Sequence, residues 1–234
     1  MDFLSHVARN LAEARRRIGE AALAAGRRPE DVRLLAVSKT FSLDHVRAAV
    51  AAGQEDFGEN RVQEALQKIV ESADLKIRWH LIGTLQSNKV RKAVPHVSAI
   101  HSVDSLRLLD AIDAAASEAG VAPELLVQVD LAGEATKHGA PPAEAKEIVR
   151  AAARCRSARC VGLMTIPPFL EQPDAVRPYF ARLREFRDTL VSEGTDPAML
   201  RELSMGMSHD FDVAVREGAT IVRLGTAIFG KRAV

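Results

Sequence analysis

RLLAVSKTFSLDHVRAAVAA, residues 33–52, is the stretch that decides the fold. Residues 33–38 form a short apolar run of strand type, and residues 43–52 follow with apolar positions at helical spacing. The alternation then recurs. Residues 55–58 read as a second strand with a helix through Val62, Ala65, Leu66 and Ile69, and residues 77–82 as a third with a helix over 89–94. Residues 97–101 and 125–129 are strands followed by helices over 104–119 and 142–153. Residues 160–164 precede a long helix over 174–192, residues 200–203 precede one over 209–217, and residues 220–224 make the eighth strand. Strands this short and apolar suit a buried parallel sheet. Eight such units predict a (β/α)8 TIM barrel; an open doubly wound sheet is the weaker choice, because no GxGxxG follows the first strand.

Ahead of the first unit, Leu4, Val7, Leu11, Ala14, Ile18 and Ala21 recur every three or four residues, and Gly26 and Pro29 end the pattern. This predicts an extra N-terminal helix, residues 1–26, packed across the barrel within a single domain, 1–234. A net charge of +1 offers no electrostatic case for nucleic acid or an anionic membrane. No apolar run reaches membrane-spanning length, and residues 1–17 have no secretory h-region. Cys155 and Cys160 do not form a CxxC pair, so reduced thiols and a cytoplasmic location are expected.

In such a barrel the chemistry sits where strands end. Those positions hold Lys39; Glu59 and Asn60; His80 and Gly83; His101 and Ser102; Asp130; Thr165; Ser204 to Ser208; and Arg223, Gly225 and Thr226. Arg223 shares strand parity with Ile221, so it points inward if Ile221 does, and needs either a buried carboxylate or a ligand as partner. Gly225-Thr226 opens a tight helical turn whose free N–H groups and dipole suit a phosphate. Lys39 shares parity with Leu35 and Val37. It either snorkels to solvent or sits in the barrel mouth, where desolvation and a nearby Arg223 would favour the neutral, nucleophilic amine. A reactive lysine opposite a phosphate cradle implies a ligand with an aldehyde and a phosphate, and pyridoxal 5′-phosphate has both. On that reading Ser204, Gly225 and Thr226 hold the phosphate. Asp210 and Asp212 would repel it from their own helix, which favours the Gly225-Thr226 turn.

Several ordered runs then become recognisable: Ala36-Val37-Ser38-Lys39-Thr40, Phe57-Gly58-Glu59-Asn60-Arg61-Val62-Gln63-Glu64, Trp79-His80-Leu81-Ile82-Gly83, Leu203-Ser204-Met205-Gly206-Met207-Ser208, and the stretch from Val222 to Gly230. Together they resemble the pyridoxal phosphate homeostasis protein family, also called alanine-racemase N-terminal-like or proline synthase co-transcribed. The resemblance implies a fold-type III barrel holding pyridoxal phosphate as a Schiff base on Lys39, with Ser204, Gly225 and Thr226 on the phosphate and Arg223 facing the pyridine nitrogen. It also implies that Asn60, His80 and Met207 line the pocket, and that residues 133–139 form the family's glycine-glutamate-rich loop. Phe41 stands where relatives often have lysine, and His209 where many have an acidic residue.

An arginine at the pyridine nitrogen favours the unprotonated ring and weakens its pull on electrons. The lone tyrosine, Tyr179, falls on the helix after strand six, and the chain stops after the barrel at Val234. The expected role is therefore intracellular pyridoxal phosphate homeostasis: a monomeric carrier that buffers the cofactor or delivers it to apo-enzymes, with no catalytic residues. An amino-acid racemase is the main alternative. A metal-dependent hydrolase on His80, His101 and Asp130 is the other, and has no HxH or HExxH to support it. Lys89 and Lys137 read as surface lysines or secondary aldehyde sites.

Overall fold

The computed structural model describes residues 3–133 and 138–230, so Lys137 and residues 134–136 of the expected loop lie outside it. Eight parallel strands close into a barrel in sequence order: β1 Arg33–Val37, β2 Asp56–Glu59, β3 Arg78–Leu81, β4 Ala99–Val103, β5 Glu124–Gln128, β6 Arg159–Met164, β7 Glu202–Met207 and β8 Ile221–Leu224. β8 returns to pair with β1, so no sheet edge remains open. The main helices are α1 Phe3–Ala24, α2 Leu43–Ala51, α3 Val62–Glu71, α4 Val90–Ala93, α5 Leu106–Ala119, α6 Pro142–Ala152, α7 Arg177–Ser192, α8 Phe211–Arg216 and α9 Thr226–Phe229.

Period-two alternation divides the apolar residues between two cores. One face of each strand packs on the helices in a large outer layer. The other fills the barrel, where Leu35, Val37, Ile82, Leu126, Val161, Met164 and Ile221 form their own cluster. Leu35 and Val37 therefore face inward, as the reading of Lys39 required.

The N-terminal helix does not cross the barrel. It packs against α2, α8 and α9, flanking the β8–β1 seam. The helix that should follow β8 is α9, a single turn, and α1 fills the resulting gap in the outer ring. Val7, Leu11, Ala14, Ile18 and Ala21 are buried on that face, while Leu4 is exposed. Gly26, at φ +68°, ends the run in the left-handed conformation that glycine tolerates.

Two strands differ from the sequence reading in ways that move functional residues. β4 runs on to Val103, which puts His101 in mid-strand. β7 begins at Glu202 and reaches Met207, so Ser204 lies inside the barrel wall and not in a loop. Ser-Met-Gly-Met has little intrinsic strand preference, and pairing with β6 and β8 imposes the conformation. Gly206 permits it: φ is +91°, and a Cβ there would meet Ala214 Cβ at 2.5 Å. Among the described residues, no helix is long and apolar enough to cross a membrane.

Candidate functional site

A cavity of about 630 Å³ opens at the C-terminal ends of the strands. That volume suits a small organic ligand. Val37 and Lys39 from β1, Asn60 after β2, Ile82 to Thr84 after β3 and Gln128 on β5 form one side of the wall. Met207 and Ser208 after β7, with Arg223, Gly225 and Thr226 after β8, form the other. Six of the expected site residues (Lys39, Asn60, Met207, Arg223, Gly225 and Thr226) thus meet around one space. Gly83 is required at the rim, because a Cβ there would lie 2.2 Å from the Asn60 carbonyl oxygen.

At the Gly225-Thr226 turn, Ser208 Oγ accepts the N–H groups of Gly225 and Ala227 at 3.2 and 3.1 Å. Ser208 is the hydroxyl on this cradle. Asp210 accepts the Met207 N–H at 2.7 Å, and Asp212 pairs with Arg17 on α1, so both carboxylates are committed elsewhere.

Behind Lys39 a buried polar cluster grips the loop. Lys68 on α3 donates to the Ser38 carbonyl at 2.7 Å, to Glu59 Oε1 at 2.7 Å and to Glu64 Oε1 at 2.9 Å. Ser38 Oγ donates to Glu59 Oε1 at 2.7 Å, and the Thr40 N–H donates to Glu64 at 2.6 Å. Thr40 is at φ +68°, the one non-glycine residue with positive φ among those described. A β-branched residue there is strained, and the Glu64 bond helps to hold it. Burial raises the Glu59 carboxyl pKa, and the ammonium only partly offsets this. Burial also acts to raise Glu64, but the bonds from Lys68 and the Thr40 amide outweigh it and lower the carboxyl. Glu59 Oε2 has no hydrogen-bond partner.

His80 and Ser204, expected on the pocket wall, are instead buried beneath it, at 2% and 0% exposure. Asp56 Oδ1 lies 3.1 Å from His80 Nε2, His80 Nδ1 lies 3.0 Å from His101 Nε2, and His101 Nδ1 lies 3.0 Å from Ser204 Oγ. Arg223 donates to Ser204 Oγ at 2.7 Å and to the Thr165 carbonyl at 2.9 Å. Arg223 thus points inward as its parity required, with a hydroxyl and a carbonyl for partners in place of a carboxylate. Burial pulls its pKa down to about 10, with Asp210 opposing. Asp130 accepts the N–H groups of Ala132 and Gly133, and among the described residues no three His, Cys, Asp or Glu side chains converge as metal ligands. Phe41 packs on His45 and Phe229. His209 lines the cavity and donates to the Leu170 and Glu171 carbonyls at 3.2 and 3.1 Å, tying the loops after β6 and β7 together.

The profile described as "Alanine racemase, N-terminal domain" matches residues 4–233. The chain belongs to the alanine racemase N-terminal domain family. Within that family it is 45% identical over 216 residues to the pyridoxal phosphate homeostasis protein of Aquifex aeolicus, covering 92% of this chain and 94% of that one. It is 46% identical over 230 residues to the protein of the same name in Pseudomonas aeruginosa, covering 98% and 97%. Among solved structures, PipY of Synechococcus elongatus with PLP bound is 41% identical at a TM-score of 0.85, covering 96% of this chain and all of that one. Alanine racemase from Corynebacterium glutamicum, at 16% identity and a TM-score of 0.71 over 98% of this chain and 61% of that one, shares the fold.

In this family member the sequence missed the Lys68 cluster, because a lysine mid-helix reads as surface. It also missed the Asp56–His80–His101–Ser204 file, whose members sit on four different strands.

Proposed function

We propose that this chain binds pyridoxal 5′-phosphate in the mouth cavity and serves its homeostasis in the cytoplasm. On this reading it works as a monomeric barrel unit that buffers the cofactor or passes it to apo-enzymes without catalysis of its own. The observation that carries the proposal is the placement of Lys39, Arg223 and the Gly225-Thr226 turn around one cavity of fitting size. The residues suit the group. The N–H groups of Gly225 and Ala227, bridged by Ser208, form a cradle for the phosphate with no lysine needed. When bound, pyridoxal phosphate supplies an aldehyde that a neutral amine attacks with loss of water, and Lys39 is the amine on the cavity wall. Asn60 and Met207 flank the same space.

A carrier without catalysis is supported by Arg223, a cation with no acceptor, which favours an unprotonated ring nitrogen and a poor electron sink. The only tyrosine, Tyr179, lies on α7 away from the cavity wall. PipY, similar over its whole length, has PLP bound.

Purified protein loaded with pyridoxal phosphate is expected to be yellow, to bleach with borohydride, and to carry the added mass on the peptide containing Lys39. A Lys39→Ala variant as coloured as wild type would refute the assignment. Exchange of solvent deuterium into the α-position of alanine would refute the absence of catalysis.

A further inference from the structure

We propose that Asp56, His80, His101 and Ser204 form a positioning relay that fixes every proton between the barrel floor and Arg223, holding the guanidinium as a donor at the cavity wall. This deepens the ligand reading above and rests on it. None of the four touches the cavity, yet they connect in series to the one cation buried at its base.

Both ends of the file have a single role. Arg223 can only donate. Asp56 can only accept, because the Arg78 fork grips both its oxygens at 2.7 Å. Burial acts to raise the Asp56 carboxyl, but its bonds to Arg78 and His80 hold it well below the usual range. One assignment gives every bond between them a donor and an acceptor without adding charge. The Ser204 hydroxyl donates to His101 Nδ1, His101 Nε2–H donates to His80 Nδ1, and His80 Nε2–H donates to Asp56. Both rings are then neutral.

Adding a proton to either ring puts an N–H on His101 Nδ1, facing Ser204 Oγ. That oxygen would then receive two donors, and its own proton would be left without an acceptor at a site with no solvent exposure.

The relay has two consequences. Arg223 is held by its NH1 bond to Ser204 and its NH2 bond to Thr165, so its orientation does not depend on the ligand. The Ser204 proton is committed inward, so the anion cradle falls to Ser208, Gly225 and Thr226. Bonds in series inside a low-dielectric barrel polarise one another, which makes the far end at Asp56 felt at Arg223.

Nitrogen-15 NMR of histidine-labelled, ligand-free protein between about pH 6 and 8 reads the ring tautomers directly. Both buried rings are expected neutral with the proton on Nε2. A cationic ring, or His101 protonated on Nδ1, overturns the relay whatever the cavity binds. In pyridoxal phosphate titrations, His101→Phe is expected to weaken binding about tenfold and to shift the bound chromophore's absorption. Ser204→Ala should match it, and Ser204→Thr should restore both. Unchanged affinity and spectrum in a folded His101→Phe variant would overturn the proposal and return Ser204 to direct contact. Wild-type protein that binds no pyridoxal phosphate but keeps the Nε2–H pattern would refute the ligand reading while leaving the proton order standing.

Discussion

A Lys68→Met substitution will strand Glu59. The glutamate is fully buried, its Oε2 is without a partner, and its Oε1 relies on Lys68 and Ser38. Methionine keeps the aliphatic stem, so no large cavity opens and the loss is electrostatic. A buried carboxylate without its cation binds a proton if that is less unfavourable. For a carboxyl with an unfolded-state pKa near 4.3, protonation at pH 7 costs about 3.7 kcal/mol, at about 1.36 kcal/mol per pH unit. This falls within the range of about 3–5 kcal/mol for breaking a buried pair. The sign follows from the raised folded-state pKa of Glu59 in the variant: stability is retained at low pH and lost as pH rises through that value. The destabilisation should therefore shrink to about 1.6 kcal/mol at about pH 5.5. Equilibrium urea unfolding followed by circular dichroism at the two pH values measures it. A cost below about 1 kcal/mol at neutral pH, or one independent of pH, would refute the reasoning. Adding Glu59→Gln should recover more than half of the loss, because no buried charge then remains.

His101 should impose a second pH dependence on the wild-type protein. Its folded-state pKa lies below the unfolded value, so the unfolded chain binds the extra proton first, and stability should fall as pH drops below about 6.5. Thermal unfolding across that range should show a loss approaching about 1.4 kcal/mol per pH unit, and His101→Phe should flatten it. Gly83→Ala should destabilise by about 3 kcal/mol, because the new methyl would meet backbone at Asn60 and not a yielding side chain. A change in urea midpoint equivalent to less than about 1 kcal/mol would show that the rim yields there.

Much of the site was legible before any coordinates. The parity of Leu35, Val37 and Lys39 on one strand, and of Ile221 and Arg223 on another, puts both cations on the inner face, since side chains alternate every residue. Gly225-Thr226 announced a cradle by its lack of bulk. Ser204 and His80 were misplaced for a different reason. Strand seven was ended at Leu203, four residues short of Met207, because Ser-Met-Gly-Met lacks strand preference. His80 was given the correct face and the wrong depth. Lys68 looked solvated because nothing local reveals the glutamates that surround it.

Sequence alone determined the number of strand–helix units, the inward or outward face of each strand residue, and the residues that gather at the C-terminal mouth. These are local properties of spacing and chain direction. The tertiary structure decided depth. Which inward residues share a level depends on how far neighbouring strands slide when the barrel closes, and the register shifts in β4–β5, β5–β6 and β7–β8 are set by pairing between distant segments. That stagger carries Ser204 beneath Arg223, lines up two histidines behind it, and leaves the outer gap that α1 fills.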